Sequence, residues 1–212
     1  MTISFEVLVI IILNVFFTYK GFNDYRFFEK FRFKISDIRN NESFRLISSG
    51  FLHVDNPHLI FNMITFYFFG DIVLNVFGTF WFICIYIGSL LLGNLFSLII
   101  HRNKPNYSAV GASGAVTGIL FSAILTYPDL KLALLFFPIP IPGYIFGLLY
   151  LAYTFYGMKN LNDGIGHSAH LGGAIGGILL SILLIPEIII ISFKSVILLL
   201  LVTIFGTFFY KK

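Results

Sequence analysis

The sequence predicts an all-α protein that forms a polytopic bundle of membrane-spanning helices. Of its 212 residues, 58% are hydrophobic and only 11% are charged, and the mean hydropathy is +0.90. A soluble domain usually carries about 25% charged residues, so this composition excludes an ordinary soluble domain and a disordered chain. A spanning helix needs about 20 residues, and the length of the chain therefore predicts six or seven spans.

Charged and helix-breaking residues separate seven predicted spans. Pro57 suits the first turn of a helix, and three prolines between residues 138 and 142 exclude a regular helix there. A long loop, 20–56, interleaves basic and aromatic residues, which suits either the membrane interface or a solvated loop. The predicted spans are 5–19, 57–76, 80–100, 113–127, 143–156, 167–185 and 194–210.

Cysteine content and charge exclude several other classes of protein. Cys84 is the only cysteine, which excludes an intrachain disulfide framework and a cysteine-based zinc site. The net charge is +4, but no basic run of the nucleic-acid-binding type is present. We therefore expect the lipid bilayer as a partner, with no nucleic acid, metal or cofactor.

Ser113 is one of a few polar residues inside the predicted spans, where such residues are functional candidates by default. It lies in the sequence Gly111-Ala-Ser-Gly114, which enters a helix. The flanking glycines allow backbone N–H groups to approach a substrate carbonyl, and the helix dipole favours negative charge there. Serine beside glycine in a span is also a common helix-packing pattern.

Two other spans carry polar residues that could act with this serine. His170 is followed by Gly173 and Gly177, and their spacing matches that of Gly114 and Gly118, which allows two helices to pack closely. His58 and Asn62 are four residues apart and so share one helix face. A packing role alone is the alternative for the glycines, and a hydrogen bond to a neighbouring span is the alternative for Asn62.

The order of the spans predicts that these residues lie at one depth. The second, fourth and sixth spans run in the same direction, and His58, Ser113 and His170 each lie near the start of one of them. The fourth span is about 22 Å long at about 1.5 Å per residue, shorter than the hydrocarbon core of about 30 Å. Ser113 is therefore expected below the membrane surface, beside a protein-lined or water-filled cavity.

These residues suit a serine hydrolase that uses a Ser–His dyad. His170 is expected to accept the proton of Ser113 as general base while Ser113 attacks a peptide carbonyl. The Ser113 backbone N–H, His58 and Asn62 are expected to donate hydrogen bonds to the oxyanion. No carboxylate is expected to orient His170.

At these motifs the chain resembles the rhomboid family of intramembrane serine proteases, over about residues 42–177. The resemblance implies a nucleophile at Ser113, a base at His170 and oxyanion donors at His58 and Asn62, all within a six-helix core. His53 matches a further loop histidine of the family, and Phe44-Arg45 stands where the family has a tryptophan–arginine pair that anchors the first loop.

The resemblance also implies a domain organisation, and the sequence departs from the family at one site position. Residues 1–186 correspond to the protease core, and 187–212 to an additional C-terminal transmembrane helix. Bacterial relatives often carry tyrosine at the position of Thr117, stacked on the base, and this chain lacks it. The expected substrates are transmembrane helices of other proteins.

Three alternatives remain open at this point. The first is a catalytically inactive rhomboid-like protein that binds membrane clients, and the second is a small transporter whose pathway is lined by the same polar residues. The third is a metal site built from histidines 53, 58, 167 and 170, which no H-E-x-x-H motif supports.

We expect an integral, multi-pass protein, with the cell membrane as its location. The orientation that the resemblance implies would place 12 of the 14 lysines and arginines outside the cytoplasm. The positive-inside rule predicts the reverse. Seven of these 12 lie in the first loop, where they could bind lipid headgroups.

Overall fold

The computed structural model describes residues 3–134, 137–161 and 163–210 as a bundle that consists mostly of helices. The termini of the two predicted domains, residues 1–2 and 211–212, lie outside this description. Three helices pack at the centre through extensive mutual contacts: α5 (Asn56–Ile100), α6 (Ser113–Thr126) and α8 (His167–Leu184). Almost every residue of α6 is buried, so this helix lies inside the bundle.

The N-terminal helix and the long first loop pack beside this centre. Asp24 caps the short helix that follows it, because its side chain accepts a hydrogen bond from the Phe27 N–H at 3.0 Å. The predicted loop 20–56 is therefore ordered by short elements of its own. These elements are α1 (Phe5–Asn23), α2 (Tyr25–Phe31), β1 (Phe33–Lys34), α3 (Ile35–Arg39), α4 (Arg45–Ser48) and a 3₁₀ helix (Ser49–Phe51).

Helix α5 is a hairpin of two arms that join at Gly78. This residue has φ +73° and ψ 167°, which are not helical values. The arms fold back on each other, since the ring of Phe66 in the first arm lies 6.0 Å from Phe82 and 5.2 Å from Tyr86 in the second. The second and third predicted spans correspond to these two arms.

Short strands lie in the connections before and after α6, where the sequence predicts irregular structure. β2 (Ser108–Ala109) pairs with β1 in antiparallel fashion and ties the first loop to the segment before α6. β3 (Lys131–Leu134) pairs with β4 (Phe137–Pro142) before α7 (Gly143–Asn160) begins. Proline lacks an N–H to donate, but an edge strand tolerates it, which explains why the proline-rich segment forms a strand and no helix.

Three helices of the described chain are long and apolar enough to cross a membrane, namely α1, α5 and α8. The 45 residues of α5 form two arms, and α6 is a shorter apolar helix. At about 1.5 Å per residue, the 14 residues of α6 extend about 21 Å. The C-terminal part contains α9 (Ile188–Ile191) and α10 (Phe193–Tyr210). The count of seven spans stays a prediction.

Candidate active site

Ser113 is the first residue of α6, and the turn before it requires glycine. Gly111 has φ +136°, a conformation that side chains with a Cβ rarely adopt. Two hydrogen bonds from the first loop hold this turn. The Gly111 N–H donates to the Ser49 carbonyl oxygen at 3.0 Å, and the Ala112 N–H donates to His53 Nε2 at 3.4 Å.

His58 lies beside this turn, in the first turn of α5. A Cβ built on Gly111 would lie 2.8 Å from His58 Nε2 and 3.6 Å from Ser113 Oγ. The imidazole of His58 therefore lies directly against Gly111 and leaves no room for a side chain there, and the Ser113 hydroxyl lies on the same side of this glycine. Asp55 fixes the start of α5, because its carboxylate accepts a hydrogen bond from the His58 backbone N–H at 2.7 Å.

Asn62 is buried one turn further along α5. Its Nδ2 donates to the carbonyl oxygen of His58 at 2.9 Å, within its own helix. An amide nitrogen has two N–H groups, so this bond leaves one donor. Its role as an oxyanion donor stays a prediction.

His170 lies near the start of α8, where α6 and α8 come into backbone contact. A Cβ built on Gly114 would lie 3.4 Å from the Ala169 carbonyl oxygen, and one built on Gly173 would overlap the Gly114 carbonyl oxygen. One turn further along both helices, a Cβ on Gly177 would overlap the Gly118 carbonyl oxygen in the same way. The residues flanking Ser113 and His170 therefore touch.

Ser113 and His170 are both half-buried. Within residues 3–134, 137–161 and 163–210, no hydrogen bond joins Ser113 Oγ to the imidazole of His170. Catalytic hydrogen bonds are often long or poorly aligned in the absence of substrate and shorten when it binds. The dyad therefore stays a prediction.

Tyr150 of α7 is a site residue that the sequence did not single out. Its ring is stacked on His170, with centroids 6.0 Å apart and planes at 28°. Its hydroxyl hydrogen-bonds with Thr117 Oγ1 at 3.0 Å, one turn after Ser113. Thr117 stands where bacterial relatives often carry a tyrosine that stacks on the base, and here it is hydrogen-bonded to a tyrosine of another helix.

A second group that the sequence did not single out is the pair Asp163–His167. His167 Nε2 lies 3.2 Å from Asp163 Oδ2, and the His167 ring lies 6.2 Å from that of His170. The Ile165 N–H and then His167 lower the pKa of the exposed Asp163 carboxyl below its usual 3.8. The spacing of four residues between Asp163 and His167 is the sequence signal from which this pair could have been predicted. No carboxylate hydrogen-bonds His170 itself among the described residues.

His53 is completely buried and joins α1, the first loop and the turn before α6. Since Nε2 accepts the Ala112 N–H, we assign the ring proton to Nδ1, which lies 2.9 Å from Thr18 Oγ1. Burial, with a smaller contribution from the nearby His58, lowers the pKa of His53 to about 3. The ring is therefore neutral at pH 7 and can accept the backbone N–H.

Arg45 ties together the first loop, and Phe44 beside it faces outward. The exposed fraction of Arg45 is only 5%, whereas that of Phe44 is 43%. The Arg45 guanidinium is held by the Glu42 carboxylate at 2.6 Å, the Asp37 carboxylate at 3.1 Å and the carbonyl oxygens of Glu29 at 2.7 Å and Arg32 at 2.9 Å. The membrane anchoring of the pair stays a prediction.

The four histidines do not form a metal site in the part of the chain that the structure describes. No three His, Cys, Asp or Glu side chains are grouped there so that they could hold a metal ion. His53 and His58 contact each other at 4.9 Å between ring centroids, and His167 and His170 form a separate pair.

Comparison with known families identifies this arrangement. The family model described as "Rhomboid domain" matches residues 40–187, which is most of the chain. The chain belongs to the rhomboid family. This match includes both arms of α5 and helices α6, α7 and α8, and it therefore covers Ser113, His170 and His58.

Individual rhomboid relatives come from plants, fungi and bacteria. The Arabidopsis thaliana protein named "RHOMBOID-like protein 12, mitochondrial" is 32% identical over 79% of this chain and 54% of its own length. "Rhomboid protein 1, mitochondrial" of Saccharomyces cerevisiae is 30% identical over 73% and 45%, respectively. The Bacillus subtilis protein named "Putative rhomboid protease YdcA" is 30% identical over 71% of both chains.

The chain spans about half the length of the two mitochondrial relatives. Family membership and the apolar helices make this chain an integral membrane protein. Because the names of two of these relatives contain the word mitochondrial, the cell membrane stays a prediction.

Proposed function

We propose that this rhomboid chain is an intramembrane serine endopeptidase that cleaves transmembrane helices of other proteins. The observation that carries the proposal is the approach of His58 Nε2 and Ser113 Oγ to the same glycine, Gly111. A substrate carbonyl bound between these two groups would meet a nucleophile on one side and a hydrogen-bond donor on the other. The name of the Bacillus subtilis relative, which contains the word protease, agrees with it.

In the proposed reaction, Ser113 Oγ attacks the carbonyl carbon of the peptide while His170 takes the hydroxyl proton. The resulting oxyanion is bound by the Ser113 backbone N–H, His58 and Asn62. Collapse of this intermediate breaks the C–N bond, and His170 returns the proton to the leaving amine. Water then hydrolyses the acyl-enzyme with His170 again as base, which restores Ser113.

The start of α6 is suited to a developing negative charge. The first backbone N–H groups of a helix have no intrahelical acceptor, and the helix dipole is positive at this end. Ala112 precedes Ser113 and has no polar side chain that could cap these groups. They therefore remain available for a substrate oxygen.

A client-binding rhomboid protein without catalysis is the second candidate. The observation that favours it is the lack of a described hydrogen bond between Ser113 and His170. The two candidates differ in the reactivity of Ser113, because only an activated serine reacts rapidly with a fluorophosphonate.

Labelling of the purified protein by a fluorescent fluorophosphonate distinguishes the candidates. We expect the wild type to be labelled, Ser113→Ala to be unlabelled, and His170→Ala to be labelled at least about 100-fold more slowly, since a general base contributes about 10²–10⁴-fold. Equal labelling of all three proteins would refute the protease proposal. Ser122→Ala is a matched control, because this serine is on the same helix but bonds to α8.

A further inference from the structure

Tyr150 joins the helix of the proposed nucleophile to the helix of the proposed base. Its hydroxyl lies 3.0 Å from Thr117 Oγ1 on α6, and its ring is stacked on His170 of α8. Tyr150 itself belongs to α7, which is a different segment of the chain. One side chain therefore contacts both halves of the site without belonging to either motif.

The ring of Tyr150 is held in place from several sides. Phe121 of α6 meets it edge-on at 6.0 Å, and Phe146 of α7 is stacked with it at 6.3 Å. Together with the hydroxyl bond to Thr117, these contacts fix the plane of the ring. Such aromatic pairs have a preferred geometry, so a fixed ring restricts its partner.

His170 needs such a restriction from a neighbouring side chain. No hydrogen bond orients its imidazole among the described residues, and Asp163 is bonded to His167. A general base must present one nitrogen to the nucleophile, and a freely rotating ring would do so only part of the time. The Tyr150 ring is the stacked neighbour that the structure places against it.

We propose that Tyr150 is a positioning residue that orients His170 towards Ser113. This inference rests on the proposed protease function and concerns the same site. The Thr117 hydroxyl anchors Tyr150, and the aromatic ring reaches His170 from α7. The orientation of the base therefore depends on how α7 packs against α6 and α8.

A simple packing role for Tyr150 makes a different prediction. If the ring only filled space, its removal would lower thermal stability, and an aliphatic side chain of similar bulk would restore labelling. If the ring orients His170, an aromatic replacement is needed. A non-aromatic replacement would then lower the limiting rate of labelling, while the reagent concentration that gives half of that rate would stay the same.

Fluorophosphonate labelling of Tyr150→Leu and Tyr150→Phe tests this directly. We expect Tyr150→Leu to lower the limiting labelling rate about tenfold, which corresponds to about 1.4 kcal/mol in activation free energy. Tyr150→Phe keeps the stacked ring and should lose only about two- to threefold. Tyr156→Leu is the matched control on α7, because Tyr156 is 58% exposed, and we expect the wild-type rate.

The anchor is tested separately, which also covers the case that Tyr150→Leu does not fold. Thr117→Val and Tyr150→Phe break the same hydrogen bond, so each should slow labelling about two- to threefold and the double variant no more than either. Wild-type rates in all these variants would overturn the inference while the proposed function stands. A wild type that is not labelled would overturn the proposed function and this inference with it.

Discussion

Gly173→Ala probes the closest approach between α6 and α8. A Cβ built on Gly173 would lie 2.8 Å from the Gly114 carbonyl carbon and 2.9 Å from Gly114 Cα. Both are backbone atoms, so no change of rotamer can relieve the overlap. The two helices must move apart, and the residues next to this contact include Ser113 and His170.

The size of the displacement follows from ordinary contact distances. Carbon atoms pack favourably at about 3.5–4.0 Å, so the helices must separate by about 1 Å near Gly173. A displacement of about 1 Å between reacting groups can cost about 100-fold in rate. Overpacking costs about 1–3 kcal/mol in stability, and alanine regains about 1 kcal/mol over glycine in a helix. We therefore expect a folded protein in which Ser113 and His170 are displaced from each other.

The measurement is the rate of fluorophosphonate labelling beside the thermal unfolding midpoint in detergent. We expect labelling of Gly173→Ala to fall about 100-fold, with a net loss of stability of about 0–2 kcal/mol. Gly166→Ala is the control, because a Cβ there would lie 3.8 Å from Ala169 Cβ, an ordinary contact. If Gly173→Ala is labelled as fast as the control, the close approach of α6 and α8 does not set the geometry of the site.

Three further substitutions test the first loop through the thermal midpoint. His53→Ala leaves a buried backbone N–H without its acceptor and should lower the free energy of unfolding by about 1–3 kcal/mol, so an unchanged midpoint would contradict the assigned bond. Arg45→Ala removes the donor to two backbone carbonyl oxygens and the cation beside two partly exposed carboxylates, and it should cost about 1–3 kcal/mol. The exposed Arg39→Ala should change stability by less than about 0.5 kcal/mol. The Ser36 hydroxyl, with smaller contributions from nearby cations, holds the pKa of Asp37 below 3.8. The stabilisation from Asp37 is therefore present above pH 3.8 and is lost as the pH falls through the lower pKa of the folded protein. Asp37→Asn should make the thermal midpoint fall less steeply in this acid range. Equal falls in the wild type and the variant would refute the assignment.

The sequence was sufficient to predict those features that depend on local pattern. Helix α6 begins at Ser113 and α8 at His167, where the sequence predicts them, because glycines and a hydrophobic run mark both starts. Gly78 separates the two arms of α5, as a glycine between two apolar runs indicates. The equal spacing of glycines on two helices also indicated a close contact between them.

Features that depend on distant contacts were not predictable in this way. Tyr150 follows Thr117 by 33 residues, and only the packing of α7 brings the two hydroxyls together. The hairpin of β3 and β4 was missed because its prolines exclude a helix without indicating a strand. The ordered first loop was missed for a similar reason, since Arg45 bonds carbonyl oxygens 13 and 16 residues earlier in the chain.

The turn before Ser113 explains why a membrane protein of this kind needs an ordered first loop. Irregular backbone that is shielded from water needs acceptors within the protein for its N–H groups. Here the acceptors are the Ser49 carbonyl oxygen and the neutral ring of His53. Ser49 is in turn fixed through its hydroxyl, which donates to the Arg45 carbonyl oxygen at 2.7 Å. The arginine that ties together the first loop therefore also supports the backbone of the site, which makes the loop part of the structure that carries Ser113.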